Sequence, residues 1–273
     1  MAEMKQKPLS VCIIGAGNVA THLARALNGP CRVRQVFSRS EASAKRLADA
    51  IGCGYTTDTA ALVPDADFYL IAVADDAVAE VVKSTPDFPG IWAHTSGSVP
   101  ADVFSNHKQH YGVFYPLQTF TRDVEVDVSE VPFFIEGNTP EVAERLASIA
   151  SLISRSVEFA DSARRRQLHI AAVFACNFAN LMWMEADELL HDAGLDIRFL
   201  MPLLRVTLGK LQAVSPEEAM TGPARRGDTD VIESHLDSLP PEKQAIYRLL
   251  SDTILKKYHP SGAGKQKSDT KND

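Results

Sequence analysis

A chain of 273 residues, 45% hydrophobic and 23% charged, has an ordinary globular composition and enough length for two domains. Its net charge of −7 argues against nucleic acid as a partner; the only dense basic run is the short Arg164-Arg165-Arg166. Cys12, Cys31, Cys53 and Cys176 form no close pair, which speaks against zinc or redox motifs and for a reducing, cytoplasmic setting.

Met1–Pro8 is polar and unlike a signal peptide. The first expected strand, Val11–Ile14, leads into Gly15-Ala16-Gly17 and a helix over Asn18–Leu27 whose apolar face is Val19, Leu23, Ala26 and Leu27. Gly15 suits a tight turn, Gly17 the close approach of a pyrophosphate, and Ala20 stands where a third glycine would pack helix on sheet. The N–H groups opening that helix, from Asn18 and Val19 onward, would face phosphates with the helix dipole behind them. A bound dinucleotide is expected, against the plainer reading of a strand, a turn and a helix.

The second strand, Val33–Phe37, ends at Ser38-Arg39-Ser40. A carboxylate there would take the ribose hydroxyls of NAD, but none occurs before Glu41. The hydroxyl of Ser38 and the planar donor fork of Arg39 suit a 2′-phosphate, so NADP(H) is the expected cofactor. Arg39 as a solvated helix-start residue is the competing reading.

Strands at Gly54–Thr56, Phe68–Val73, Ile91–His94 and Tyr111–Tyr115 alternate with helices at Glu41–Ile51, Asp76–Lys83 and Pro100–Asn106, the pattern of a parallel sheet with crossover helices. Val131–Glu136 reads as a further strand, Pro140–Ile153 as a helix, and Val157–Phe159 as the strand closing the edge. Ligands of such sheets lie beyond the carboxyl ends of the strands. That rule places Val73 and Ala74 along the ribose and pyrophosphate, with Asp76 as an N-cap. His94-Thr95-Ser96-Gly97-Ser98 is expected near the nicotinamide, Thr95 toward cofactor and Ser96 toward substrate, although such a run is also ordinary turn chemistry. Tyr115–Phe120 leaves the sheet after the sixth strand.

After Ala160 the pattern is helical. Asp161 and Ser162 can cap a helix that meets no Pro or Gly before Gly194, a run of ~50 Å at 1.5 Å per residue. A domain of this size is on the order of 35 Å across, so a homodimer with interlocking helical domains is expected to cover it. Gln167–Met184 lacks charge, but His169, Asn177 and Asn180 interrupt it, and a helix buried on nearly all sides explains it better than a membrane span. His169, Val173, Cys176, Asn177 and Asn180 share one face at 3.6-residue spacing; the polar members either bond neighbouring elements or floor a cleft. In the second case His169 donates a proton and the amides orient a substrate.

Ser215-Pro216-Glu217-Glu218 reads as a capping box, Asp228 as the next N-cap, and Pro241 as the start of a last helix ending near Lys257. Thr221–Asp228 is a rigid turn whose Arg226 could clamp a substrate anion or merely join two helices. Residues 260–273 read as a disordered tail. His107 and His110 lack a carboxylate constellation, and no metal is assigned.

His94–Ser98, Gly112–Phe120, His169–Asn177 and Thr221–Asp228, in that order, resemble one family over about Leu9 to His259. It comprises NADP oxidoreductases with a Rossmann-like domain and a C-terminal helical domain of unknown function, the 2520 type. More distantly the pattern is similar to pyrroline-5-carboxylate reductase, deazaflavin-dependent NADP oxidoreductase and the 6-phosphogluconate and 3-hydroxyacid dehydrogenases. The resemblance implies a doubly wound α/β domain over 9–159 and an all-α domain over 160–259, like the C-terminal domain of 6-phosphogluconate dehydrogenase. It also implies NADP(H), dimerisation through the helices and a cleft between the domains. The hydroxyacid dehydrogenases carry a lysine four residues before an asparagine on the corresponding helix, whereas here Val173 and Cys176 hold those places. His169 in that role, an imine substrate, or a non-catalytic NADP-binding sensor would each accommodate the difference. The leading expectation is reduction of a small carbonyl or imine compound, with Ser96, His169 and Asn177 facing it.

Overall fold

The computed structural model describes residues 8–260 and forms two compact units by its contacts, the first running through Phe178 and the second beginning at Ala179. The tail expected over 260–273 falls, from Ser261 on, outside the described residues.

The first unit is built on eight strands: β1 Ser10–Ile14, β2 Arg32–Phe37, β3 Gly54–Thr56, β4 Phe68–Ile71, β5 Ile91–His94, β6 Tyr111–Pro116, β7 Phe133–Gly137 and β8 Val157–Phe159. They lie in the order β3-β2-β1-β4-β5-β6-β7-β8. The order reverses at β1, the switch point where open α/β sheets hold ligands. From β3 to β6 every pairing is parallel. Both faces are covered: Val11 and Ile13 join one apolar cluster with Leu23, Leu27, Leu47 and Leu146. Cys12 and Ile14 join another with Val78, Val82, Trp92 and Phe104. Alternate side chains of one short strand thus feed two cores, which is why β1 reads as an unbroken apolar run.

The helices supplying those faces are α1 Asn18–Leu27, α2 Glu41–Ile51 and α4 Pro140–Ala150 on one side and α3 Asp75–Ser84 on the other. Three expectations need correction here. The sheet is not wholly parallel, because β7 runs antiparallel to β6. Residues 117–132 hold no α-helix to carry the chain back across the sheet, so it returns beside β6 in the opposite sense. The helix expected over Pro100–Asn106 is a 3₁₀ turn, Ala101–Phe104. Asp76 is also not an N-cap, since α3 starts at Asp75 after Ala74; both carboxylates instead lie in its first turn, favourably placed toward the dipole.

Asp161 caps α5, Ser162–Ala172, by accepting from the Arg164 N–H. The helical run continues through a π-turn, Val173–Phe178, into α6, Ala179–Asp192. The expected single stripe at 3.6-residue spacing is therefore corrected: widened i→i+5 bonding offsets the subsequent turns by about one residue, roughly 100° of helical rotation. Nor is the run buried on nearly all sides, for Phe174 is 68% exposed and Phe178, Trp183 and Met184 are also open. No helix among the described residues is long and apolar enough to cross a membrane.

The second unit adds α7 Met201–Lys210, α8 Pro216–Ala219, α9 Pro223–Arg226, α10 Thr229–Ser238 and α11 Pro241–Tyr258. The Ser215–Glu218 capping box forms as expected. Asp228 occupies the N-cap of α10 but makes no capping hydrogen bond; its carboxylate goes to Arg226. The interior is small, with Ala224, Ile232 and Leu236 packed by Tyr247, Ile254 and Leu255.

Candidate nucleotide cleft and histidine site

Beyond the carboxyl ends of β1, β2 and β4 lies a cleft of about 670 Å³. Gly15, Gly17, Asn18, Val19, Ser38, Arg39, Val73 and Ala74, all expected at a cofactor, line it. Thr57, Asp58, Thr59 and Glu80, which sequence reasoning missed, line it too, as does Phe120 from the segment expected beyond the sixth strand. Thr57–Thr59 come directly after β3, so the strand-end rule could have found them. Phe120 arrives from the loop after β6, and only the fold brings it there. Thr95 is not in the cleft wall; it is buried, with its hydroxyl 3.4 Å from the Ile71 carbonyl.

The two glycines of the turn differ. Gly15 has a φ of +126°, and a Cβ there would strike the Ala72 carbonyl, so the protein's own backbone demands glycine. A Cβ at Gly17 would meet nothing within 4 Å. The absent side chain leaves open space rather than relieving an internal clash. α1 also lacks a side-chain N-cap and has no acidic residue in its first turn, whereas Ser40 and Thr139 cap α2 and α4. Its leading N–H groups are left for an anion.

The loop after β6 fastens onto this turn. Asn18 Nδ2 donates to the Phe120 carbonyl at 3.0 Å, His22 bonds the Thr121 carbonyl at 3.0 Å and stacks on Phe120. Arg122 Nη2 donates to the Ala16 carbonyl at 3.3 Å, while its buried Nε has no partner among the described residues. A guanidinium beside the glycine turn, an uncapped helix and an open glycine fit a pyrophosphate. At the far side, Arg39 stands at the cleft with Ser38, and the Asp58 carboxylate is taken up by the Ala60 N–H at 2.9 Å.

A second group of side chains lies at the ends of β4, β5 and β6. Ala74 of the cleft wall is followed by Asp75, whose carboxylate accepts from the Ser98 hydroxyl. Ser96 is buried and its Oγ accepts from the Ser98 and Val99 N–H groups at 3.1 and 3.0 Å, so the turn itself uses that hydroxyl. His169 rests on Gly97, where a Cβ would come 2.6 Å from Nδ1. That Nδ1 lies 3.1 Å from the Tyr115 hydroxyl. The sequence sets Gly97 in the run expected near the nicotinamide and Tyr115 at the start of the segment beyond the sixth strand, but their contacts with His169 come from the fold.

Arg165, one helical turn before His169, fixes α5 to the sheet. It is fully buried, pairs with Glu136, and donates to the Val99 carbonyl at 2.6 Å and to Ser162 Oγ at 3.2 Å. His94 is equally buried, and its Nδ1 accepts from the Ser96 N–H at 3.1 Å. Burial first, and the Arg165 charge second, push its pKa down to about 4, so it stays neutral. Burial also raises the Tyr115 hydroxyl above its usual range. Asn177 is exposed on the π-turn and Asn180 on the first turn of α6. In the second unit Arg226 closes on Asp228, with Nε and Nη2 both 2.8 Å from Oδ2.

A Bacteroides fragilis protein designated "putative NADP oxidoreductase" is 43% identical, with a TM-score of 0.86; the match covers 91% of this chain and 98% of that one. The chain belongs to this oxidoreductase family. Within it, residues 131–254 match a domain of unknown function, DUF2520, and residues 10–92 match NADP oxidoreductase, coenzyme F420-dependent. Two more distant structures share the fold. A reductive aminase from Aspergillus terreus is 15% identical at a TM-score of 0.68, covering 92% of this chain and 95% of that one. A pyrroline-5-carboxylate reductase from Streptococcus pyogenes is 14% identical at 0.63, covering 93% and 99%. No curated protein matches.

Proposed function

We propose that this family member is an NADP(H)-dependent reductase of a small carbonyl or imine compound, acting in the cytoplasm as a homodimer joined through helical domains over 160–259. One observation carries the reading: the cleft wall at Val73-Ala74 continues into Asp75, which bonds Ser98, next to the Gly97 on which His169 rests. A nucleotide cleft and a half-exposed imidazole thus share one end of the sheet. Both distant relatives are named for reductive chemistry at carbon–nitrogen bonds.

The N–H groups from Gly17 to Val19 would hold the pyrophosphate, and Ser38 with Arg39 the 2′-phosphate. NADPH, when bound, supplies hydride. His169 delivers a proton to the substrate heteroatom through Nε2, and Asn177 orients the substrate. With Val173 and Cys176 in place of a lysine, an imine is the better substrate class, because its nitrogen is the more basic atom. Exposed apolar side chains on the helices, such as Phe174 and Leu208, support the dimer.

Titration calorimetry should show Arg39→Ala weakening NADPH by roughly ten- to a hundredfold with NADH barely changed. In NADPH-consumption assays on pooled imines, keto acids and aldehydes, His169→Ala should lower turnover about a hundredfold while NADPH binding holds. NADPH bound by the wild type but consumed with no pool would instead identify a sensor.

A further inference from the structure

The Tyr115 hydroxyl is a buried donor, on a residue only 8% exposed, and its one hydrogen-bond partner among the described residues is His169 Nδ1. Two arrangements of the protons are open to such a pair when the ring is neutral. If Nδ1 carried the proton, the phenol oxygen would accept it and the phenol's own hydrogen would have no acceptor. A buried donor left without an acceptor is costly, because it has given up water and gained nothing in exchange. If the phenol donates, Nδ1 is the acceptor and both groups are satisfied. Burial raises the phenol's pKa and keeps that hydrogen in place.

We infer that Tyr115 is a positioning residue: it donates to Nδ1 and so fixes the His169 proton on Nε2, with Gly97 as the seat that holds the ring. Nε2 makes no hydrogen bond among the described residues, so a proton fixed there can pass to the substrate heteroatom that hydride addition leaves negative; the imidazolate so formed keeps the phenol O–H at Nδ1 and regains its Nε2 proton from solvent. The ring is held on two further sides. A Cβ at position 97 would come 2.6–2.9 Å from Nδ1, Cγ and Cβ of His169, so only glycine leaves the imidazole where the phenol can reach it. One turn earlier, Arg165 ties α5 to Glu136 and the Val99 carbonyl, which sets the height of His169 over the sheet. Tyr115 lies at the carboxyl end of β6, paired with Phe134 of β7, so the phenol itself stands on rigid backbone. Position, tautomer and ring plane are each fixed by a different element.

The inference rests on His169 as the proton donor, and two measurements separate its failure from failure of that assignment. The first needs no substrate. Imidazole nitrogen shifts of ¹⁵N-histidine-labelled protein, assigned by comparison with His169→Ala, should show the neutral ring of His169 almost wholly as the Nε2–H tautomer. Tyr115→Phe should turn it into a mixture of tautomers. An unchanged tautomer in Tyr115→Phe overturns the inference. The second uses NADPH consumption with a panel of cyclic imines and keto acids. Tyr115→Phe should lower turnover about tenfold with the KM for NADPH unchanged, and cause no further loss in a His169→Ala background. Gly97→Ala, which keeps the phenol but displaces the ring, should give the same fall. Additive losses from Tyr115 and His169 would show the phenol acting on its own and overturn the inference. If the wild type consumes NADPH with no panel member, the reductase reading fails, while the nitrogen shifts still decide the role of Tyr115.

Discussion

The two units spend their apolar residues in opposite ways. In the sheet unit Phe68, Trp92, Phe104, Phe114 and Phe133 are fully enclosed, whereas in the helical unit Leu208 is 71% and Leu249 65% exposed. Eight strands with helices on both faces close a core from within one chain. The helical unit encloses mainly Ala224, Ile232 and Leu236 and leaves Leu203, Val206 and Leu208 of α7 and the Leu249–Leu250 pair of α11 exposed. A helix needs a partner for its apolar stripe, and chemistry that depends on rigid placement gathers in the unit that is complete by itself.

The hardest test of that contrast replaces Leu203 and Leu208 of α7 with glutamate. If a second copy covers this face, two unpaired carboxylates would be buried, at several kcal/mol each. Sedimentation should then show a monomer, while the near-ultraviolet spectrum of the sheet unit stays unchanged. A dimer surviving both substitutions would refute the proposed interface. Arg165→Ala attacks the self-sufficient unit instead. It strands Glu136 beneath α5, and denaturant unfolding should show a loss of about 3–5 kcal/mol.

A smaller effect sharpens the contrast through pH. His94 has a folded pKa of about 4 against an ordinary 6.5, so acid favours the unfolded chain, which binds the proton first. Stability is at its plateau above pH 6.5, falls as pH drops from 6.5 toward 4, and levels below. The loss amounts to about 3 kcal/mol at most. In His94→Asn this part of the fall should vanish from the pH dependence of the unfolding midpoint; a curve parallel to the wild type would show that His94 carries none of it.

Much of this was legible in the chain. The glycine turn, the order of strands through β6, the Asp161 cap and the Ser215 capping box come from local rules, because local backbone chemistry dictates them. The reversal at β7 was not legible, since strand direction depends on what the connecting loop lacks. The π-turn escaped because apolar spacing in the sequence assumes uniform helix geometry. Arg165 was hidden in a basic triplet between Arg164 and Arg166, both exposed; burial by tertiary packing separates residues that composition treats alike. Of the candidate site, the cleft residues were readable from strand ends, and the ring's seat at Gly97 was not. A close approach between residues 72 positions apart leaves no local trace.

The loop over Phe120–Arg122 meets the glycine turn and α1 through Asn18, His22 and Ala16, more than ninety residues earlier in the chain. A cofactor that straightens or tightens that turn therefore also pulls on this segment through the protein's own hydrogen bonds. Backbone amides on either side of Phe120 become natural reporters of occupancy, slowing their exchange with solvent whenever the turn is loaded. Trimming the loop would loosen the grip on the nucleotide from behind, with every cleft-lining residue before Phe120 left intact.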